Sequence, residues 1–218
     1  MTIKIVWLIL VFSSLLHVVS FGLSVPVNIT EEEELSYGSF GDVTHTYKYK
    51  NAIGLGFVLD TNVAKDSTFG YRLLLQYTLG NLDSTDNQNV TNLKKHKYDM
   101  IHNFAFGVVR KPGFKWWIGP RINMQIEHVS GSDISYQNSW GFGIGAATGV
   151  NFKVAERIAL GADIAYQGAI MFGGQSDTDG YSASFGTSKG LTTQFYLLFV
   201  FGEASKAAQQ PSLIDNSL

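Results

Sequence analysis

Residues 114–129 read FKWWIGPRINMQIEHV, and the order of these side chains decides the fold. The even positions are Phe114, Trp116, Ile118, Pro120, Ile122, Met124, Ile126 and His128. The odd positions are Lys115, Trp117, Gly119, Arg121, Asn123, Gln125, Glu127 and Val129. One set is mostly large and apolar, and the other holds nearly every group that can carry charge. A helix would scatter both sets around its circumference, whereas a strand points successive side chains to opposite faces. This stretch is therefore a strand with one apolar and one polar face.

The same period recurs on either side. Ile53, Leu55, Phe57 and Leu59 alternate with Gly54, Gly56, Val58 and Asp60, and residues 69–79, 98–108, 140–153, 158–172 and 194–201 repeat the pattern. Seven strands result, joined by connections of alternating length. Those at residues 61–68, 111–113 and 155–156 are short; those at 81–95, 130–139 and 173–190 are longer and polar. Short inner turns and long outer loops are the arrangement of membrane barrels. If 61–68 is an inner turn, an earlier strand must first carry the chain outward, and residues 35–43 supply it. The expectation is an all-β, eight-stranded antiparallel up-and-down transmembrane β-barrel with external loops at 42–50, 81–95, 130–139 and 173–190.

Composition decides which face points out. A water-facing surface is rich in Lys and Glu, yet charged residues are 16% of this chain, aromatics 13%, and 23 residues are Gly. The polar face is mostly Gly, Ala, Asn and Gln, which suits an interior just wide enough for side chains to fill. The bulky apolar face suits lipid. A lipocalin-like soluble lipid carrier would require the reverse orientation.

Residues 1–22 read as a secretory signal peptide, with Lys4 before an apolar run and small residues Ser20 and Gly22 at −3 and −1 of a cleavage site. No later stretch approaches the ~18 consecutive apolar residues of a spanning helix. Residues 23–34, with the run Glu31–Glu34, read as an acidic N-terminal linker, residues 35–202 as the barrel, and 203–218 as a polar periplasmic tail. The chain has no cysteine, which removes disulfides, thiolate sites and acylated lipoprotein anchors. A net charge of −2 gives no basis for a nucleic-acid partner.

The sequence resembles the small outer-membrane barrels of the OmpA-barrel and OmpX-like superfamily, and more closely a poorly characterised group of outer-membrane barrel proteins. The carrying segments are GLGFVLDTNVAKD at 54–66, YRLLLQY at 71–77, FGVVR at 106–110 and WIGPR at 117–121. The resemblance implies a location in the outer membrane of a Gram-negative bacterium. It says little about activity, because one fold hosts unrelated functions. The tail after Phe201 departs from the usual terminal aromatic and is too short for a peptidoglycan-binding domain.

The polar face predicts a lumen network of Arg72, Gln76, Asp99, Arg121, Gln125, Glu127, Lys153, Asp163 and Gln167, with Lys115 beside it. Buried charges must pair, and Arg121 with Asp163 is the preferred ion pair, because both lie at similar distances from their short turns. Trp116, Trp117, Trp140, Tyr71 and Tyr77 read as aromatics of the membrane interface. His128-Val129-Ser130 is similar to the His-x-Ser element of eight-stranded lipid A deacylases. A Ser–His pair needs a carboxylate to orient the imidazole, and none falls at the matching position. The reading is therefore not an enzyme, with no catalytic residue, metal or cofactor; a lipid A-modifying hydrolase is the alternative. The expected role is structural or interactive at the cell surface: membrane integrity, adhesion or host contact. Expected partners are outer-membrane lipids and lipopolysaccharide, the barrel-assembly machinery, and an extracellular ligand at the loops, with the chain a monomer.

Overall fold

The computed structural model describes residues 20–37, 43–61, 68–84, 93–130, 136–177 and 180–201. Eight strands form: β1 (Ser20–Tyr37), β2 (Val43–Asp60), β3 (Phe69–Ser84), β4 (Leu93–Lys111), β5 (Phe114–Ser130), β6 (Tyr136–Ala155), β7 (Ile158–Asp177) and β8 (Gly180–Val200). Each pairs antiparallel with the next, and β8 closes on β1. The result is the eight-stranded antiparallel barrel that the alternation predicts. Pro112 and Gly113 reverse the chain between β4 and β5, with Gly113 at φ 75°, a conformation glycine adopts without penalty.

The first strand is not where the sequence placed it. Residues 23–34, expected to be a linker, lie within β1; of the strand expected at 35–43, residues 35–37 end β1, Val43 begins β2, and 38–42 lie outside the described residues. The reason is a parity switch. The ladder between β1 and β8 shifts register between Asn28 and Thr30. Before the shift Ser24 and Asn28 are the buried residues; after it Glu31, Glu33 and Leu35 are. Each bulge inserts one extra residue, so a period-two count fails across it. Lys50 and Ile53 of β2 flank a second such shift. The described part of β1 begins at Ser20, so the expected signal segment overlaps β1 by three residues. Residues 1–19 and the tail at 203–218 lie outside the described residues.

The strands are also longer than a membrane requires. They run from 16 to 21 residues, whereas ~9–11 tilted residues cross a bilayer. Much of what the sequence assigned to external loops is strand wall: all of 43–50, residues 81–84 and 93–95, Ser130 and 136–139, and 173–177 with 180–190.

The outer surface is zoned. At one end, beside the turns at 112–113 and 156–157, lies a ring of aromatics. Phe21 stacks on Phe201 at 5.2 Å, Phe69 meets Phe106 at 5.5 Å, and Phe114 meets Phe152 at 4.9 Å. A second ring lies farther along the strands: Tyr77 with Tyr98 at 5.1 Å, Trp140 with Phe172 at 4.9 Å, and Phe172 with Phe185 at 5.2 Å. Between the rings most exposed residues are apolar, among them Leu55, Ile144 and Ile164, with Thr187 and Lys189 of β8 as polar exceptions. Beyond the second ring the outward positions turn polar: Glu32, Glu34, Thr44, Lys48, Asn81 and Lys94. An apolar band between two aromatic girdles is the surface a transmembrane barrel presents to lipid.

Ile144 stands at mid-band, paired with Ile122 of β5 and 67% exposed. Ile144→Arg is expected to destabilise the barrel by about 2–4 kcal/mol, whereas Ala183→Arg, an exposed position two residues beyond Phe185 on β8, costs about 0–1 kcal/mol. Urea unfolding in phospholipid vesicles measures both.

Candidate functional site: a charged and filled lumen

Inward-pointing side chains build two charged tiers. Nearest the turns, Arg72 of β3 lies directly across the ladder from Asp60 of β2. Its Nε donates to Asp60 Oδ2 at 2.8 Å, its Nη2 lies 2.6 Å from the same oxygen, and Nη2 donates to Asn151 at 3.0 Å. Asp163 of β7 completes the tier, 3.7 Å from Nη1. The guanidinium is sandwiched between aromatic rings, 5.1 Å from Trp117 and 4.5 Å from Tyr196. The Tyr196 hydroxyl donates to Asp163. Gly149 makes room for this packing: a Cβ there would fall 2.7 Å from the Trp117 ring and from the Asp163 Cβ. Gln194 donates to Gln76, and Gln76 to Ser24, carrying the network across to β1.

The second tier lies toward the far end. Lys95 Nζ of β4 is 3.1 Å from Glu31, 2.7 Å from Glu33 and 2.8 Å from Glu127. Lys97 reaches Glu31 at 3.0 Å and lies 3.9 Å from both Asp99 and Glu127. Asn28 donates to Glu31 at 2.8 Å, and Gln125 and Ser139 donate to Glu127. Tyr49 donates to the Lys95 carbonyl at 3.0 Å, and its ring sits 5.0 Å from the ammonium. Four buried carboxylates thus share two ammonium groups.

Apolar side chains close the lumen beyond this tier. Leu35, Tyr47, Leu82, Leu93, Val129 and Met171 belong to one buried cluster with Tyr49. Between the tiers a void of about 10 Å³ is lined by Asp99, Arg121, Gln167 and Thr78, which is room for about one water molecule. Arg121 Nε and Nη2, Asp99 Oδ1, Gln167 Oε1 and Thr78 Oγ1 have no hydrogen-bond partner among protein atoms. Among the described residues the lumen is thus filled by charged, polar and apolar side chains.

No family model matches the sequence, and no curated protein does either. Solved structures do. The outer membrane protein OprG from Pseudomonas aeruginosa superimposes with a TM-score of 0.62 at 7% identity, over 84% of this chain and 93% of that one. The outer membrane protein AlkL, solved in lipid bilayers, gives 0.54 at 12% identity, over 85% and 92% of the respective chains. The chain has the fold of a small outer-membrane β-barrel.

Within this outer-membrane fold the predicted network divides. Arg72, Gln76 and Asp163 meet in the first tier, while Gln125 and Glu127 meet in the second, with Asp99 beside Lys97. Arg121 and Gln167 line the void between them. Lys115 is buried, whereas Lys153 is half-exposed at the turn end. The preferred pair is corrected in part: Arg121 and Asp163 do attract one another across the lumen, but the close contact is different. Asp163 lies 3.7 Å from Arg72, and Arg121 donates to Thr192 at 3.3 Å. Strands in a barrel are staggered by its shear, so equal residue counts from two turns do not mean equal heights. Trp117 is corrected as well; it lies in the lumen, 1% exposed, and not at the membrane interface.

Sequence reasoning missed Asp60, Glu31, Glu33, Lys95 and Lys97. A signal was present, because Glu31/Glu33 and Lys95/Lys97 are like charges two apart, which a strand places on one face. His128 points outward, and its Nδ1 hydrogen-bonds Asn138 Oδ1 at 2.8 Å. An amide therefore occupies the position where a hydrolytic histidine needs a carboxylate.

Proposed function

We propose that this protein is an integral outer-membrane barrel with a structural and surface-contact role, exported by its N-terminal signal and inserted by the barrel-assembly machinery. The observation that carries the reading is the pairing of a sealed interior with a protruding wall. Two charge tiers and an apolar cap occupy the lumen, while polar strand continues past the second aromatic ring. The turns at 112–113 and 156–157 face the periplasm, and the long arms stand outside the cell. Their outward residues, such as Glu32 and Lys48, are ion-paired: Glu32 lies 3.6 Å from Lys48 and also 3.5 Å from Lys189 of β8. Adhesion, host contact and membrane integrity are the functions such a wall supports.

The test joins three measurements. The protein fractionates with outer membranes, migrates differently on gels before and after boiling, and passes no stepwise current in planar bilayers. Folded protein in the culture or periplasmic fluid without detergent refutes the reading, and resolved single-channel steps refute the sealed lumen. The hydrolase alternative is tested by lipid A composition, expected to be the same in cells overexpressing the wild type, the Ser130→Ala variant or neither.

A further inference from the structure

The lipid-facing wall is not uniformly convex. From β1 to β6 it forms an open apolar groove of about 820 Å³, within the ~300–1,000 Å³ range of ligand pockets. Leu55, Phe57 and Ile126 stand along it, and Met100 and Met124 face each other across the β4–β5 ladder in its middle. Thioethers are unbranched and adapt to irregular partners. The groove's rim at the second aromatic ring is one continuous row: Tyr77 opposite Tyr98, Tyr98 opposite Ile126, and Ile126 opposite Trp140.

The row two residues farther out on the same face is polar. Leu79 pairs with His96, His96 with His128, and His128 with Asn138. Above it Lys94 pairs with Asn81 and Ser130. Two residues of strand advance ~7 Å, so the histidines begin about one side chain's length above the rim. Both rings are held in place. Tyr77 Oη lies 2.7 Å from His96 Nδ1, Asn138 Oδ1 lies 2.8 Å from His128 Nδ1, and the ring centroids are 6.1 Å apart. Each bond engages Nδ1 and leaves Nε2 for another partner. Lys94 is exposed beside them, and the outward carboxylate Asp83 sits farther out, level with Lys48 of β2.

We propose that this surface is a binding site for a phosphorylated lipid of the outer leaflet, with an acyl chain in the Met100–Met124 groove and the phosphate on Lys94, His96 and His128. The proposal deepens the outer-membrane reading and rests on it. Charge complementarity selects the occupant. Lipid tails are as apolar as leucine, so a groove gives little preference of its own inside a bilayer. Selectivity must come from charge-assisted hydrogen bonds to the headgroup, and Lys94, with the two imidazoles beside it, lies at the mouth of the groove. A second copy of the chain would bring no phosphate to Lys94, and pairing the same face would set Lys94 against its own like charge.

The purified barrel in detergent is titrated with bisphosphorylated lipid A and, separately, with the same lipid after dephosphorylation, and bound lipid is counted by native mass spectrometry. Half-occupancy by the phosphorylated form is expected at about tenfold lower concentration, a difference of ~1.4 kcal/mol. Lys94→Ala with His96→Gln and His128→Gln is expected to abolish the preference. Met100→Trp with Met124→Trp, which fills the groove, weakens both lipids, and Lys48→Ala with Lys189→Ala changes neither. Equal retention of the two lipids by the wild type, a preference that survives the triple substitution, or self-association through the groove overturns the proposal. A barrel that fractionates with the membrane but shows no preference refutes this site alone; a protein absent from the membrane refutes the proposed function.

Discussion

Arg72→Met is expected to lower the unfolding free energy by about 3–5 kcal/mol, because removing one partner of a buried ion pair strands the other charge. Arg72 is 2% exposed, and its guanidinium is the cation bonded to Asp60 and nearest Asp163. Methionine keeps much of the side chain's length, so lost packing against Trp117 and Tyr196 contributes less than loss of the guanidinium that Asp60 and Asp163 share. The triple variant Arg72→Met, Asp60→Asn, Asp163→Asn is then expected to recover most of the loss, as replacing a whole buried charge cluster is often close to neutral. Urea unfolding in vesicles, followed by the heat-modifiable gel shift, measures both steps. A single variant as stable as wild type would mean that water reaches this tier and screens it.

Lys95→Met in the second tier carries a penalty of similar size, about 3–5 kcal/mol, by the same argument. Three carboxylates surround the Lys95 ammonium within 3.1 Å, and Lys97 makes close contact with Glu31 alone. Lys97→Met is therefore expected to cost less. Adding Glu33→Gln to Lys95→Met removes one of the stranded charges and is expected to restore part of the loss. Because the two tiers share no ion pair, Arg72→Met and Lys95→Met are expected to add within ~0.5 kcal/mol. Strong non-additivity would show that the tiers open as one unit.

How far the sequence could be read follows from where lipid touches the wall. Residues 114–129 alternate at full contrast because one face meets acyl chains and the other a packed, polar lumen. Past the second aromatic ring that contrast disappears. Glu32 and Glu34 face outward and Glu31 and Glu33 inward, so both faces of β1 are acidic and the strand reads as a linker. The far ends of β2, β7 and β8 read as loops for the same reason. The register shifts at Asn28/Thr30 and Lys50/Ile53 compound this by exchanging faces in mid-strand. Lumen residues such as Arg72 and Glu127 were legible as inward-facing. Their partners were not, because partner choice depends on stagger, which no single strand records.

The central claim is that bulky apolar side chains meet lipid while charge is packed within. Since the chain has no cysteine, single cysteines can carry a nitroxide at Leu55 and Ile144 of the band and at Thr46 of the protruding wall. Collision rates with oxygen and with a water-soluble nickel chelate are then read by electron paramagnetic resonance in vesicles. High oxygen and low nickel accessibility at 55 and 144, with nickel accessible at 46, is the expected result. Nickel accessibility at 55 and 144 equal to that at 46, in protein that is folded, would contradict the account.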